Sequence, residues 1–339
     1  MNIAAIPRKS FGRGFLLMLT IICILVFGGT ALWYYAAGKL EETALKVQQS
    51  LQASGRLVAC DNQQVRGYPF RIGIFCDAID IEDKNTRQKL TSGALRTVAQ
   101  IYDPGKLILE FDGPAQFSDA KQGIFNINWQ FLRASMRATL SGIERTSIAA
   151  HAISIAHEKI ASPLLIAETL ELHARKLGDN NLDVAIGSRN LVVATSFGSS
   201  ELLSKPFDLI VEFTANDLFK EAQSKQKLIS HFQNNGGSGN LNAFKLETVN
   251  GGKLEIKGPL SIDIKGQLSG KLDVSVTKLN HLFEFFRKFI AIPNNNIEQI
   301  ELAVKLLSAG NATTKLQIQI NDGKVRLGLI SLGRIPPLL

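Results

Sequence analysis

Only three of the 339 residues are cysteine, and no Cys-x-x-Cys pair is among them. That removes dithiol redox chemistry and the short-spaced thiolate sets that hold zinc. There is no Gly-x-Ser-x-Gly elbow, no phosphate-binding glycine loop and no dinucleotide fingerprint, so the usual marks of serine hydrolases and nucleotide enzymes are missing. Gly236-Gly237-Ser238-Gly239 has loop composition, with no basic helix start behind it. The histidines are scattered, and His151 and His157 lack the i, i+4 spacing of a zinc pair. Both read as surface strand residues. Carboxylates are plentiful but follow no catalytic pattern. The sequence therefore points away from an enzyme, and names no cofactor, metal ligand or catalytic residue.

A basic block is also missing. The formal charge is +8, but Arg8, Lys9 and Arg13 precede a long apolar run, and removing those three leaves +5 dispersed among acids. A mixed solvated surface follows, with no nucleic-acid footprint. The 45% hydrophobic and 20% charged fractions are those of a chain that can fill a core.

What is present begins with that run. Phe15 to Ala37 carries no charge, and its 23 residues would reach about 34 Å as a helix, enough to cross a bilayer. Arg8, Lys9 and Arg13 flank one end, whereas Lys39 is followed by Glu41 and Glu42. The positive-inside bias then puts residues 1–14 in the cytoplasm, makes 15–37 the transmembrane anchor and exports the rest. Trp33, Tyr34 and Tyr35 fit the outer interface belt. Ala36-Ala37-Gly38 also offers the small residues of a signal-peptidase site, but the apolar run exceeds a typical signal core, which favours a retained anchor. Both readings export the body.

An exported domain meets an oxidising compartment, and outside the span the only cysteines are Cys60 and Cys76. They are expected to form a disulfide between neighbouring strands, worth on the order of 3 kcal/mol by loop entropy. Cys23, inside the span, reads as an ordinary lipid-facing or buried thiol.

Residues 38–55 read as a stem helix, with Leu40, Ala44, Val47 and Leu51 on one face and a stop at Gly55. Beyond it, 56–339 changes to short β-prone runs separated by Gly, Pro, Asn and Asp, including Asn181 to Ile186 and Leu191 to Thr195 as separate strands. The fold class is mainly β (β-rich α+β): a large curved antiparallel sheet or sheets with a few flanking helices, behind one N-terminal transmembrane helix. Asp322-Gly323 marks a tight hairpin pairing Ile320 with Val325, Ile318 with Leu327 and Leu316 with Leu329. From Leu254 to Val276 the apolar residues keep to even numbers through Gly258, Pro259, Gly266 and Gly270, which implies odd-length turns, bulges or bends. Three helices interrupt the strands: Asn216 to Phe232, Lys278 to Ile290 and Ile297 to Leu307. Residues 234–240 read as a hinge between two possible lobes. In the middle helix Leu279, Leu282, Phe283, Phe286, Phe289 and Ile290 form a stripe that packs on the sheet, with Phe283, Phe286 and Phe289 the candidates for membrane or groove contact.

Gly67-Tyr68-Pro69-Phe70-Arg71-Ile72, set between Cys60 and Cys76-Asp77, combines with an ending of Asn321-Asp322-Gly323-Lys324-Val325 and Leu329 through Leu338. These segments resemble the alphaproteobacterial envelope family catalogued as domain of unknown function 2125, a likeness spanning nearly the whole chain. The resemblance implies an N-terminal anchor, a periplasmic body and no established activity. A more distant likeness to AsmA-like envelope proteins implies a curved sheet with an apolar groove associated with lipid movement.

The expectation is a single-pass inner-membrane protein whose periplasmic sheet offers an apolar surface to a lipid or other hydrophobic ligand. The alternative is a structural or assembly module that binds envelope proteins.

Overall fold

The computed structural model describes residues 12–139, 142–160, 162–178, 180–194, 205–218, 235–286 and 313–338. Gly12–Ala53 form one unbroken helix, α1, whose first part is the apolar run. It is long and apolar enough to cross a membrane. Downstream, Trp33, Ala37, Leu40, Ala44, Gln48 and Leu51 recur at three and four residues as its covered stripe. Gln48 takes the place expected for Val47, whose side chain is exposed. The helix stops where Gly55 adopts φ 84°, and its carbonyl accepts from the Lys84 N–H at 2.9 Å.

Every strand after α1 pairs antiparallel with a sequence neighbour once interrupted strands are joined. The first stretch consists of β1 (Arg56–Asp61) and β2 (Gln64–Arg66), the second of β3 (Arg71–Cys76) and β4 (Ala78–Asp83). β1 pairs with β4 and β2 with β3 in a single register, so together they make one long hairpin with its tip at Gly67–Arg71. β5 (Gln88–Ser92) with β6 (Leu95–Gln100), β7 (Asp103–Phe111) with β8 (Ala115–Asp119), and β9 (Gly123–Asn128) with β10 (Phe131–Thr139) continue the pattern. The two halves of these stretches run as parallel branches of the sheet, β3–β6–β7–β10 and β4–β5–β8–β9. Both branches end on β11 (Gly142–His157), which pairs β10 through its first part and β9 through its last.

From there the meander is simple. β12 (Leu165–Leu177), β13 (Asn181–Val193), β14 (Phe207–Ala215), β15 (Gly237–Thr248), β16 (Lys253–Ile262), β17 (Leu268–Thr277), β18 (Thr313–Asn321), β19 (Lys324–Leu327) and β20 (Ile330–Arg334) each add to the one before. The result is one large open antiparallel sheet. α1 lies along its first edge, covering strand groups that would otherwise be free to pair with another chain.

A line of irregularities crosses the sheet. It passes Asn62 (φ 51°), Asp77, Asp112-Gly113, Trp129-Gln130, Ala152 (φ 50°) and Asn190 (φ 49°). Extra residues of this kind twist and bend the strands that carry them. Asn tolerates the left-handed region, whereas Ala152 enters it at a cost, at the place where β11 changes partner from β10 to β9.

Several expectations are corrected. The run Asn181 to Ile186 and residues Leu191 to Val193 of the next belong to one strand, β13, because Asn190 supplies a bulge rather than a turn; Thr195 lies outside the described residues. Ile320 and Ile318 pair with Val325 and Leu327, but Leu316 does not meet Leu329: Gly328 (φ 58°) turns the chain, and Leu329 is fully exposed. Residues 237–240 of the stretch read as a hinge lie in β15, all paired with β16 and Gly239 and Asn240 with β14 as well. The even-numbered pattern holds: Leu254 faces Val276 and Ile262 faces Leu268, across a five-residue connection turned by Asp263 and Gly266. Asn216–Leu218 form a turn, and the remainder of that expected helix, like Ile297 to Leu307, lies outside the described residues.

Candidate functional site

Ladder register carries local one-sidedness across ten strands of the sheet. Leu109 of β7 faces Ala134, which faces Ile148, then Leu172, then Ile186. The row continues through Val211, Phe244, Ile256 and Val274 to Leu316 of β18. Ten strands contribute one apolar side chain each, and at a strand spacing of about 4.8 Å the row runs about 43 Å. The neighbouring row on the other face reads Arg133, Ala149, Glu171, Gly187, Ile210, Lys245, Glu255, Ser275 and Lys315. One face is thus dry and the other mixed and polar.

The dry face is unevenly covered. Leu272, Val274, Val276, Leu246, Phe207 and Ile320 belong to one buried cluster with Leu282 and Phe285 of α2 (Leu279–Phe286), which lies over β15 and β16. Phe285 of α2 meets Phe207 edge to face at 4.9 Å, and Leu282 is 2% exposed. Nearer the middle, Ile148 and Leu172 remain 38% and 37% exposed although they are directly paired. Leu109, Ala134 and Ile186 are half-buried.

The polar face is organised by ion pairs. Arg96 forms a bidentate pair with Asp112 and also reaches Glu110, which in turn holds Arg133. The Arg96 hydrogen bonds hold the Asp112 carboxyl below its usual range. Two open clefts lie on this side. The larger, about 630 Å³, is lined by Lys245, Glu255, Lys257, Asp273 and Lys315. Among the described residues no group of three or more His, Cys, Asp and Glu is placed to hold a metal. His157, expected at a strand surface, is buried: its Nε2 lies 2.7 Å from the Gln122 carbonyl and its ring packs on Phe125. His151 is exposed beside Gln130.

The sequence-marked motif occupies the tip of the first hairpin and meets α1. The Trp33 indole N–H donates to the Arg71 carbonyl at 2.8 Å, which turns Trp33 inward and leaves it buried. Thr30 uses its hydroxyl proton on the Val26 carbonyl, so the Tyr68 hydroxyl donates to Thr30 Oγ1 at 2.8 Å. Tyr34 and Tyr35 point outward, as do Tyr68 in part and Phe70 almost fully. Gly67 (φ 119°) has no room for a Cβ against the Arg71 carbonyl. Pro69 sits at the centre of this tip. Cys60 and Cys76 are bonded midway along the same hairpin, Cα to Cα 5.2 Å, on adjacent stretches of the meander. Cys23 is free and exposed on α1.

The sequence pattern of a bacterial family, described as uncharacterized proteins conserved in bacteria (DUF2125), matches residues 33–336. The chain belongs to this family. The DUF2125 match starts at Trp33, the residue that binds the hairpin tip, and takes in the whole sheet. No curated protein and no solved structure matches the chain.

Of the phenylalanines expected to make outside contacts, Phe283 is half-buried, Phe286 is the last residue of α2, and Phe289 lies outside the described residues. Phe285, which the sequence stripe omitted, is the ring that packs on the sheet. Sequence reading missed the ten-strand row. Its signal is present strand by strand, but bulges at Arg137/Ala138, Ser188/Leu191 and Leu241/Phe244 shift the parity between strands.

Proposed function

We propose that this chain is a single-pass envelope protein, N-terminus in the cytoplasm, whose sheet stands in the bacterial periplasm and holds a lipid or other hydrophobic ligand along its dry face. The observation that carries the reading is the ten-residue apolar row with its exposed pair at Ile148 and Leu172. Exposed apolar surface of that extent on an exported domain is matched by acyl chains, whose transfer out of water is favourable at about 25 cal/mol per Å². The sheet is rooted beside the helix that is long and apolar enough to span a membrane. A ligand leaving the bilayer would therefore meet the sheet at its first edge. The role is binding rather than catalysis, and the likeness to AsmA-like proteins rests on this same combination of glycine-punctuated strands and a dry face.

Photocrosslinking in cells tests it. Benzoylphenylalanine at 148 or 172 is expected to give lipid adducts by mass spectrometry, and the same group at Glu171 on the opposite face none. Adducts of one stoichiometric protein at 148 and 172, without lipid, would replace this reading with that of an assembly module.

A further inference from the structure

The proposed anchoring leaves open how a broad sheet is held against the membrane surface, and the first hairpin tip carries an answer. Tyr68 donates its hydroxyl to Thr30, which lies within the uncharged run, three residues on the membrane side of Trp33. At 1.5 Å per residue, Thr30 is about 4.5 Å deeper than Trp33 and about 10 Å deeper than Ala37. The helix register thus sets the depth of the tip: if Phe15 to Ala37 spans the bilayer, Tyr68 reaches its interface. A hydroxyl at that depth needs a partner, and Thr30 and Tyr68 supply one to each other.

The surroundings agree. The Ile101 N–H donates to the Phe70 carbonyl at 3.1 Å, which sets the turn between β6 and β7 beside the tip. Phe70 is 71% exposed and Tyr102, in that turn, 74%. Tyr34 and Tyr35 are exposed on the adjoining helix. Arg66 and Arg71, both exposed, flank the aromatics and suit lipid phosphates. At the opposite ends of the same strands the turns are Lys84-Asn85-Thr86-Arg87 and Ala120-Lys121-Gln122, with no large apolar residue. Aromatic rings with one polar end are the side chains that settle at bilayer interfaces.

We propose that Phe70 and Tyr102 insert into the interface of the bilayer that α1 spans, giving the sheet a second membrane contact. The partner is a phospholipid surface. This rests on the anchored reading above, and the test separates the two.

Full-length protein with Cys23→Ser and Phe70→Cys or Tyr102→Cys, labelled with NBD at the new thiol, is reconstituted into vesicles of phosphatidylethanolamine and phosphatidylglycerol. A label at Lys84→Cys serves as the comparison. Flotation reports anchoring. The expected result is co-flotation of all three, with labels at 70 and 102 blue-shifted and quenched several-fold more by shallow spin-labelled lipid than the label at 84. Co-flotation with all three labels equally exposed to water overturns the tip proposal alone. Protein that stays at the bottom of the gradient overturns the anchored reading and the tip proposal with it.

Discussion

Ile148 and Leu172 stand directly opposite each other on adjacent strands, and more than a third of each remains open to solvent. A cross-strand apolar pair stabilises a sheet by a few tenths of a kcal/mol to about 1 kcal/mol, so packing alone gives little reason to keep this one apolar.

Ile148→Asp and Leu172→Asp should therefore cost about 1 kcal/mol or less in folding stability while interrupting the row at its exposed pair. Lipid recovered from the purified full-length variants, quantified by native mass spectrometry, is expected to fall several-fold with little change in melting temperature. Undiminished lipid in both variants would separate the row from ligand binding.

The Cys60–Cys76 bridge closes a short loop around the hairpin that meets α1. Replacing both cysteines by alanine should cost about 3 kcal/mol on loop-entropy grounds. The measurement is the denaturation midpoint of the oxidised wild type against the double variant, and coincident midpoints would mean that the bridge adds nothing to stability.

Gly73 has a backbone reason to be glycine. A Cβ there would lie 1.7 Å from the Thr97 carbonyl oxygen, beside the place where the Ile74 N–H donates to Thr97 Oγ1 at 2.7 Å. Gly73→Ala must push β3 away from β6, at an expected cost of about 2–3 kcal/mol. Hydrogen exchange should show the loss concentrated in β3 and β6, and a variant as protected as the wild type would contradict it.

Asp112 gives a pH dependence of known sign. Arg96 lowers its folded-state value below 3.8, so the folded protein takes up this proton less readily than the unfolded chain. The stabilisation is complete above the unfolded value and fades as pH falls through the lower folded one. The stability difference between wild type and Asp112→Asn should accordingly be constant above about pH 5 and shrink below about pH 4. Denaturation midpoints across that range would show it, and a difference independent of pH would assign the effect to packing.

Much of the architecture was legible because its causes are local. The charge-free run, the two exported cysteines, the Asp322-Gly323 turn and the even-numbered residues from Leu254 to Val276 each act within a few residues of themselves. What was not legible depends on register. Leu316 was expected to continue the hairpin to Leu329, but Gly328 turns the chain first. The division of β13 at Asn190 looked like a turn because Asn favours both turns and bulges. The meeting of Tyr68 with Thr30 joins residues 38 apart, and nothing in either segment alone announces the other.

Because each stretch of the sheet pairs only with the one before and the one after, its width is set by how many hairpins the chain contains rather than by closure of a barrel. One hairpin more or fewer would change the width of the sheet, measured away from α1, by about 10 Å and leave the remaining ladders as they are. The protein is in this sense a ruler, graduated in strands, with its zero fixed by a helix.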